Sequence, residues 1–205
     1  MTAVPTVLDE RFRAAAAASG ELDVAYDVLD DTPVGRLLVG VSERGLCRIG
    51  FDPEPEAELE RLARQFGPRV LRSPKALDRV RSELDEYFAG RRHVFDLELD
   101  LRPTPEFHRR VLEKLNRVEY GHTTTYGTLA AQVGAPRAAR AVGTVMNRNP
   151  LPIVLPCHRV VGANGSLTGY GGGLDRKEWL LRHEGVRFVP EPAPQTAFDF
   201  ATRPG

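Results

Sequence analysis

Cysteine is scarce in this 205-residue chain. Two residues, Cys47 and Cys157, cannot build a disulfide framework, so a reducing cytoplasm is the expected compartment. Long hydrophobic runs are absent too, and nothing approaches the roughly 20 residues needed to cross a bilayer. No membrane association is expected. The five alanines that follow Arg11 and Arg13 are too few for the core of a signal peptide. Net charge is zero, with 28 Lys and Arg against 28 Asp and Glu, which argues against a chain that binds a polyanion along its whole length. No period repeats. What is present, 41% hydrophobic and 27% charged residues, is an ordinary globular composition with room for one large domain or two small ones.

The balanced charge hides a division. Residues 1–103 carry 15 basic and 20 acidic side chains, residues 104–186 carry 11 basic and 6 acidic, and the remainder has two of each. A basic half joined to an acidic half fits a protein in which one part touches nucleic acid; a solvated surface of no consequence is the other reading.

Patterning separates the halves as well. Val24, Tyr26 and Val28 alternate with other residues, turn chemistry follows at Thr32-Pro33-Val34-Gly35, and apolar runs at Leu37–Val41 and Leu46–Phe51 flank a second turn at Ser42–Gly45. These predict an antiparallel meander. Helices are predicted over Ala57–Phe66 and Ala76–Phe88, then a short strand around Val94–Leu99 and a linker at Arg102–Pro105. Thereafter the pattern is helical. A helix capped by Thr104 with Pro105 at its first position uses Phe107, Val111, Leu115 and Val118. A short helix spans Tyr126–Val133, another runs from Pro136 to about Arg148, and a last one is capped by Asp175 with Glu178 as its box partner and ended by Gly185. The pair around Val133–Pro136 has the outline of a helix-turn-helix, although any small helical domain holds such hairpins. The expected fold class is α+β, with an extension over 1–20, an α/β domain over 21–101, a helical domain over 102–188 and a disordered Pro-rich tail over 189–205.

The stretch that carries chemistry is Pro152–Val161. An apolar segment between Pro152 and Pro156 delivers Cys157 along a rigid, extended approach, and His158 and Arg159 adjoin it. A cysteine is a nucleophile only as thiolate, and a neighbouring base or cation favours that form. His183 and Glu184 follow downstream, where a carboxylate could orient an imidazole. On these residues alone, an inert buried cysteine is the commoner outcome. The glycines at 171–173 lack the Lys-Ser/Thr of a phosphate loop. Cys47 and His93 fall short of the four ligands of a zinc site, so no metal and no cofactor is expected. His183 and Lys177-Glu178 read as surface residues, and Cys47 as structural.

Pro156-Cys157-His158-Arg159-Val160, preceded by Asn149-Pro150-Leu151-Pro152, resembles the active-site signature of the O6-alkylguanine-DNA alkyltransferases, the methylated-DNA–protein-cysteine methyltransferases. The resemblance continues through Tyr126–Ala130, Arg137–Gly143, Gly169–Leu174 and Lys177–Leu181, and more weakly through Thr32–Leu37 and Arg44–Cys47. It departs at His108, where Gln is commoner, at Leu112, where Trp is, and at Thr125, where Ser is. The resemblance implies a ribonuclease H-like first domain and a winged helix-turn-helix-like second. It implies a monomeric single-turnover repair protein that flips O6-alkylguanine out of duplex DNA and accepts the alkyl group on Cys157. It further implies that His158 is the base acting through a water, that Glu184 orients it, that Asn149 holds the active-site turn, and that Tyr126 donates toward the departing guanine. The resemblance likewise implies that Arg140 fills the gap in the stack, helped at the DNA by Arg137, Ala139 and Gly143. It also implies that the backbone of Val160, Tyr170, Gly171 and Gly172 borders the base. O4-alkylthymine as a second substrate and cooperative self-association on DNA are left open. A lesion binder without transfer and a cysteine hydrolase are the competing functions; the first argues against itself through Cys157, the second lacks a recognisable oxyanion hole.

Overall fold

A computed structural model describes residues 21–187; the expectations for the extension over 1–20 and for the tail over 189–205 lie outside them. The meander forms from β1 (Val24–Leu29), β2 (Leu37–Ser42) and β3 (Gly45–Phe51), paired antiparallel with Val28 opposite Leu38 and Val39 opposite Ile49. Gly45 has φ of 124°, and a Cβ there would sit 2.2 Å from the Glu98 carbonyl oxygen, so only glycine serves that turn. A fourth strand, β4 (Val70–Arg72), lies parallel to β1 and makes the sheet order β3-β2-β1-β4. Three residues are too few to show an alternation, which is why the sequence pattern does not reveal it. The strand expected at Val94–Leu99 shrinks to one bridge between Leu46 and Leu99. The Asp96 N–H turns instead to the Glu83 carboxylate at 2.8 Å, and the ladder goes no further.

Helix α1 (Pro55–Phe66) covers one face of the sheet, where Leu62 meets Val24, Leu38 and Cys47. The second predicted helix divides into a 3-10 turn (Pro74–Leu77) and α2 (Asp78–Phe88). Val80, Leu84 and Tyr87 of α2 join the opposite face through Ala25, Leu37 and Val39. The same apolar cluster runs on to Val111, Val142, Leu155 and Cys157 in the second half. Cys157 is therefore set in the wall of the main core.

The second half contains α3 (Glu106–Leu115), α4 (Tyr126–Gln132), α5 (Ala139–Asn147) and α6 (Leu174–His183), with β5 (Thr124–Thr125) and β6 (Val160–Val161) paired parallel. The predicted helix starts need correction. Pro105 keeps an extended ψ of 149° and occupies the cap position of α3 in place of Thr104. Pro136–Ala138 form a turn closed by Ala138 N–H to the Ala135 carbonyl at 2.8 Å, so α5 starts at Ala139. Gly173, at φ of 89°, caps α6; Asp175 lies within its first turn, so the capping box does not form. Thr125 does cap α4, its hydroxyl oxygen accepting from the Thr128 N–H at 3.1 Å. Helices α4 and α5 pack as the expected hairpin. Among the described residues no helix is long and apolar enough to cross a membrane.

Candidate active site

Cys157 opens a 3-10 turn (Cys157–Arg159) between the loop 149–156 and β6, and it is 4% exposed. The loop is compact where the sequence suggests an extended approach. Leu155 N–H donates to the Leu151 carbonyl at 2.8 Å, and Ile153 sits at φ of 76°. That conformation is costly for a β-branched residue, by about 1–3 kcal/mol. Burial of Leu151, Ile153 and Leu155 offsets it, together with Asn149. The Asn149 amide donates to the Leu155 carbonyl at 2.7 Å and to Cys157 Sγ at 3.1 Å, while its oxygen accepts from Leu151 N–H at 3.0 Å. One side chain thus ties both ends of the loop to the sulfur.

Burial pushes the Cys157 thiol up; the Asn149 hydrogen bond and the charge of Lys177 pull it back. Lys177 is fully buried, with Nζ donating to the Val160 and Thr168 carbonyls at 2.6 Å each, and burial pushes its pKa down to about 8. The surface reading of Lys177 fails; only Glu178, paired with Arg182 at 2.6 Å, keeps it. A signal was available, since Lys177 shares the inward stripe of α6 with Leu180, Leu181 and Glu184 at spacings of three, four and seven. Arg159, expected to lend its charge to the cysteine, commits it to Glu184 instead through Nε and Nη2 at 2.8 and 2.9 Å.

His158 is completely buried, and its Nε2 lies 2.8 Å from Glu184 Oε1. Burial would push the Glu184 carboxyl up, yet the hydrogen bonds from His158 and Arg159 hold it far below the usual carboxylate range. Glu184 is therefore an acceptor, Nε2 carries the proton, and Nδ1 of the neutral ring has a free lone pair. Among the described residues no side chain or backbone group bonds Nδ1. Burial also lowers the His158 pKa, against the pull of Glu184, so the ring is neutral at pH 7. Such a pair can take a proton. Glu184 Oε1 accepts one further bond, from the Tyr87 hydroxyl at 2.7 Å.

The remaining expected residues surround this centre unevenly. Tyr126 starts α4; its hydroxyl reaches the Gly169 carbonyl at 3.4 Å, and a Cβ on Gly143 would lie 3.9 Å from its ring. Arg137 and Arg140 are exposed, one in the turn and one in α5, with Ala139 beside them half-buried. The Tyr170 hydroxyl is buried, with Cys157 the group it interacts with; burial pushes the phenol well up, and Cys157 adds to the effect. Val160 is fully buried and its carbonyl already serves Lys177. A Cβ on Gly171 would lie 3.4 Å from the Asn147 carbonyl oxygen, while one on Gly172 would strike the Phe51 ring at 2.7 Å, so Gly172 is a packing glycine. His183, read as a surface residue, stacks on Trp179 at 4.9 Å and bonds the Tyr87 carbonyl at 2.7 Å. Cys47 is buried in the α1 cluster as a structural thiol, pushed up to about 12 by burial. His93 stacks on Tyr120 at 4.1 Å. From Cys157, Tyr170 and Gly171 a cleft of about 560 Å³ extends to Phe51, Arg61 and Phe66 of the first half. Phe51 and Tyr87, from the half that carried no expected site residue, thus reach the site.

Comparison with known proteins gives a consistent result. The ribonuclease-like domain of 6-O-methylguanine DNA methyltransferase matches residues 24–101, and the DNA binding domain of 6-O-methylguanine DNA methyltransferase matches residues 106–186. A methylated-DNA–protein-cysteine methyltransferase of Mycolicibacterium paratuberculosis is 53% identical over 127 residues, 62% of this chain and 74% of the relative. One from Methanosarcina acetivorans is 39% identical over 168 residues, covering 78% and 98%. The crystal structure of Mycobacterium tuberculosis O6-methylguanine methyltransferase superposes with a TM-score of 0.67 at 40% identity, covering 78% of this chain and 92% of that one. Mycobacterium tuberculosis OGT in complex with DNA superposes with a TM-score of 0.68 at the same identity and coverage.

Proposed function

The chain belongs to the methylated-DNA–protein-cysteine methyltransferases, and from that premise we propose that Cys157 is the alkyl acceptor and that His158 and Glu184 ready it. The protein is a DNA repair alkyltransferase: it takes the alkyl group of O6-alkylguanine in duplex DNA onto its own cysteine, once. One observation carries the assignment of the cysteine. Cys157 Sγ is held at 3.1 Å by Asn149, and the next residue in the chain, His158, is a buried imidazole whose protonated edge faces Glu184 and whose Nδ1 meets no hydrogen-bond partner among the described residues.

The steps follow from that arrangement. The O6 atom within a base stack cannot meet an in-line sulfur, so the nucleotide rotates out, at a few kcal/mol for the lost stacking. The Cys157 proton passes through a water to His158 Nδ1, and the resulting imidazolium is balanced by Glu184. The thiolate attacks the alkyl carbon; the S–C bond forms as the C–O6 bond breaks. The guanine leaves with the electron pair and takes a proton from its surroundings, where the Tyr126 hydroxyl is the nearest expected donor. A thioether has no route back, which makes the reaction single-turnover. Arg140 takes the vacated place in the duplex, and Arg137, Ala139 and Gly143 border the groove. The backbone of Tyr170, Gly171 and Val160 meets the base. Residues 21–101 and 102–188 act as a supporting and a reacting unit.

The cleft of about 560 Å³ beside Cys157 supports acceptance of O6 substituents bulkier than methyl. A series of duplexes from O6-methyl to O6-benzyl guanine reads this: rates falling to zero beyond methyl remove it. O4-alkylthymine as a second substrate, cooperative self-association on DNA and a cytoplasmic location belong to the same reading, and gel-shift titration with both lesions tests the first two. The central test is intact-protein mass spectrometry after exposure to methylated duplex. One stable methyl adduct on Cys157 supports transfer; no adduct indicates a lesion binder, and turnover without an adduct indicates a hydrolase.

A further inference from the structure

The carboxylate that governs His158 is shared with the other half of the chain. Tyr87, near the end of α2, is fully buried, and its hydroxyl donates to Glu184 Oε1 at 2.7 Å, across 97 positions of sequence. The same oxygen accepts from His158 Nε2 at 2.8 Å and from Arg159 Nη2 at 2.9 Å; Oε2 accepts from Arg159 Nε at 2.8 Å and from Gly121 N–H at 3.3 Å. Glu184 caps the C-terminus of α6, where the helix dipole disfavours a negative charge, so these donors are what keep it ionised and still. We propose that Tyr87 is a positioning residue of the transfer reaction, with the first half of the chain setting, through its hydroxyl, how strongly Glu184 holds the proton of His158. The proposal rests on the His158–Glu184 reading of the site.

Tyr87 is fixed for this task. Its ring packs against Phe88, Phe95, Tyr120 and His183 at 5.5, 5.4, 6.2 and 5.2 Å between centroids, and its carbonyl accepts from His183 Nε2 at 2.7 Å. Burial and the adjacent Glu184 charge push its phenol well above the ordinary range, so it is a permanent donor. The groups facing the relay are Tyr87 from α2, Tyr120 and Gly121 from the segment before β5, Cys157 and Arg159 from the 3-10 turn, and Lys177 and His183 from α6. Of these, only Tyr87 competes with His158 for Oε1 without adding a charge. A phenol proton on Oε1 draws off negative charge that an imidazolium would otherwise feel. Removing it leaves a stronger counter-charge, and the His158 pKa rises.

The test is single-turnover transfer from O6-methylguanine duplex, measured from pH 5 to 9 in the wild type, Tyr87→Phe, and Val80→Ala as a packing control on the same helix. Tyr87→Phe keeps the ring and its neighbours. Its acid limb moves to higher pH by about half to one unit, a shift in proton affinity of about three- to tenfold. Val80→Ala keeps the wild-type limb whatever its melting temperature. A Tyr87→Phe profile that superimposes on the wild type, or that falls by one factor at every pH, overturns the proposal. A wild type that forms no adduct overturns the underlying reading instead. A second measurement needs no variant. The Tyr87 hydroxyl proton and the proton on His158 Nε2 share one acceptor, so both downfield NMR resonances shift with a common midpoint as His158 titrates. Separate midpoints overturn the proposal.

Discussion

A sulfur that accepts an alkyl group and keeps it needs a thiolate only once, and the surroundings of Cys157 suit that demand. Burial disfavours the thiolate at rest, while Asn149 and Lys177 partly compensate, so the thiol stays protonated until a base takes its proton, the role proposed for His158. Cys157→Ala is expected to abolish adduct formation and to leave duplex affinity within about twofold, since affinity comes from phosphate and groove contacts; electrophoretic mobility shift beside intact mass checks both. An adduct on Cys47 instead is not expected, because its thiol is buried and pushed up to about 12. The pH dependence of stability also belongs at this scale. The folded pKa of His158 lies below its ordinary 6.5 and that of Glu184 below its ordinary 4.5. In each case the unfolded chain binds more protons, so stability rises with pH. The contribution of His158 is complete above about pH 6.5 and that of Glu184 above about pH 4.5, and both are lost as pH falls. Melting temperature should decline in two stages from pH 7 to 3.5, and His158→Gln should remove the upper stage.

At the scale of elements, the proposed role of α5 is to approach DNA without reading its sequence, and its residues suit that role. Ala139 and Gly143 keep it slim, Val142, Val145 and Met146 hold it to the core, and Arg137 and Arg140 stand exposed at its start. Small residues let a helix enter the minor groove, whose pattern of donors and acceptors is degenerate. Arg140→Ala should therefore lower the transfer rate from duplex at least tenfold while leaving reaction with free O6-alkylguanine base nearly unchanged. The free base carries no stacking cost for an inserted side chain to offset. Equal losses on both substrates would show Arg140 to be an ordinary surface residue.

For the whole molecule, the division of charge becomes a division of labour. The basic half carries the helix-turn-helix and the cysteine; the acidic half supports it from behind through Phe51, which meets Tyr170 at 6.0 Å, and through Tyr87. Arg176 ties the same seam, donating to the Val34 carbonyl at 2.6 Å and pairing with Asp52. A search protein must bind any undamaged duplex weakly and let go. Binding to random-sequence duplex should fall steeply between 50 and 200 mM salt, by about tenfold or more if only a few phosphates are contacted. Sequencing of the bound fraction in a competition titration should return no motif; strong enrichment would make α5 a sequence reader and defeat the repair reading of that helix.

How much of this the chain declares in its residue order depends on the range of the interaction. The α+β class, the meander, the helix pair and the Cys157–His158 dipeptide were legible because alternation, helical spacing and turn residues act within a few positions. Helix starts at Pro105, Pro136 and Asp175 were not placed correctly, since a cap is decided by where the preceding loop delivers the backbone. Three things depend on segments that only the folded chain brings together. The compact loop at Ile153 is stable only because the core and Asn149 hold it there. Lys177 is a buried cation only because two carbonyls from the segments at Val160 and Thr168 converge on it. Tyr87 meets Glu184 only after α2 and α6 pack against one another. Local pattern determines which elements form; the charge state and donor set of a buried site depend on groups brought together from distant segments, and that convergence is decided by tertiary packing.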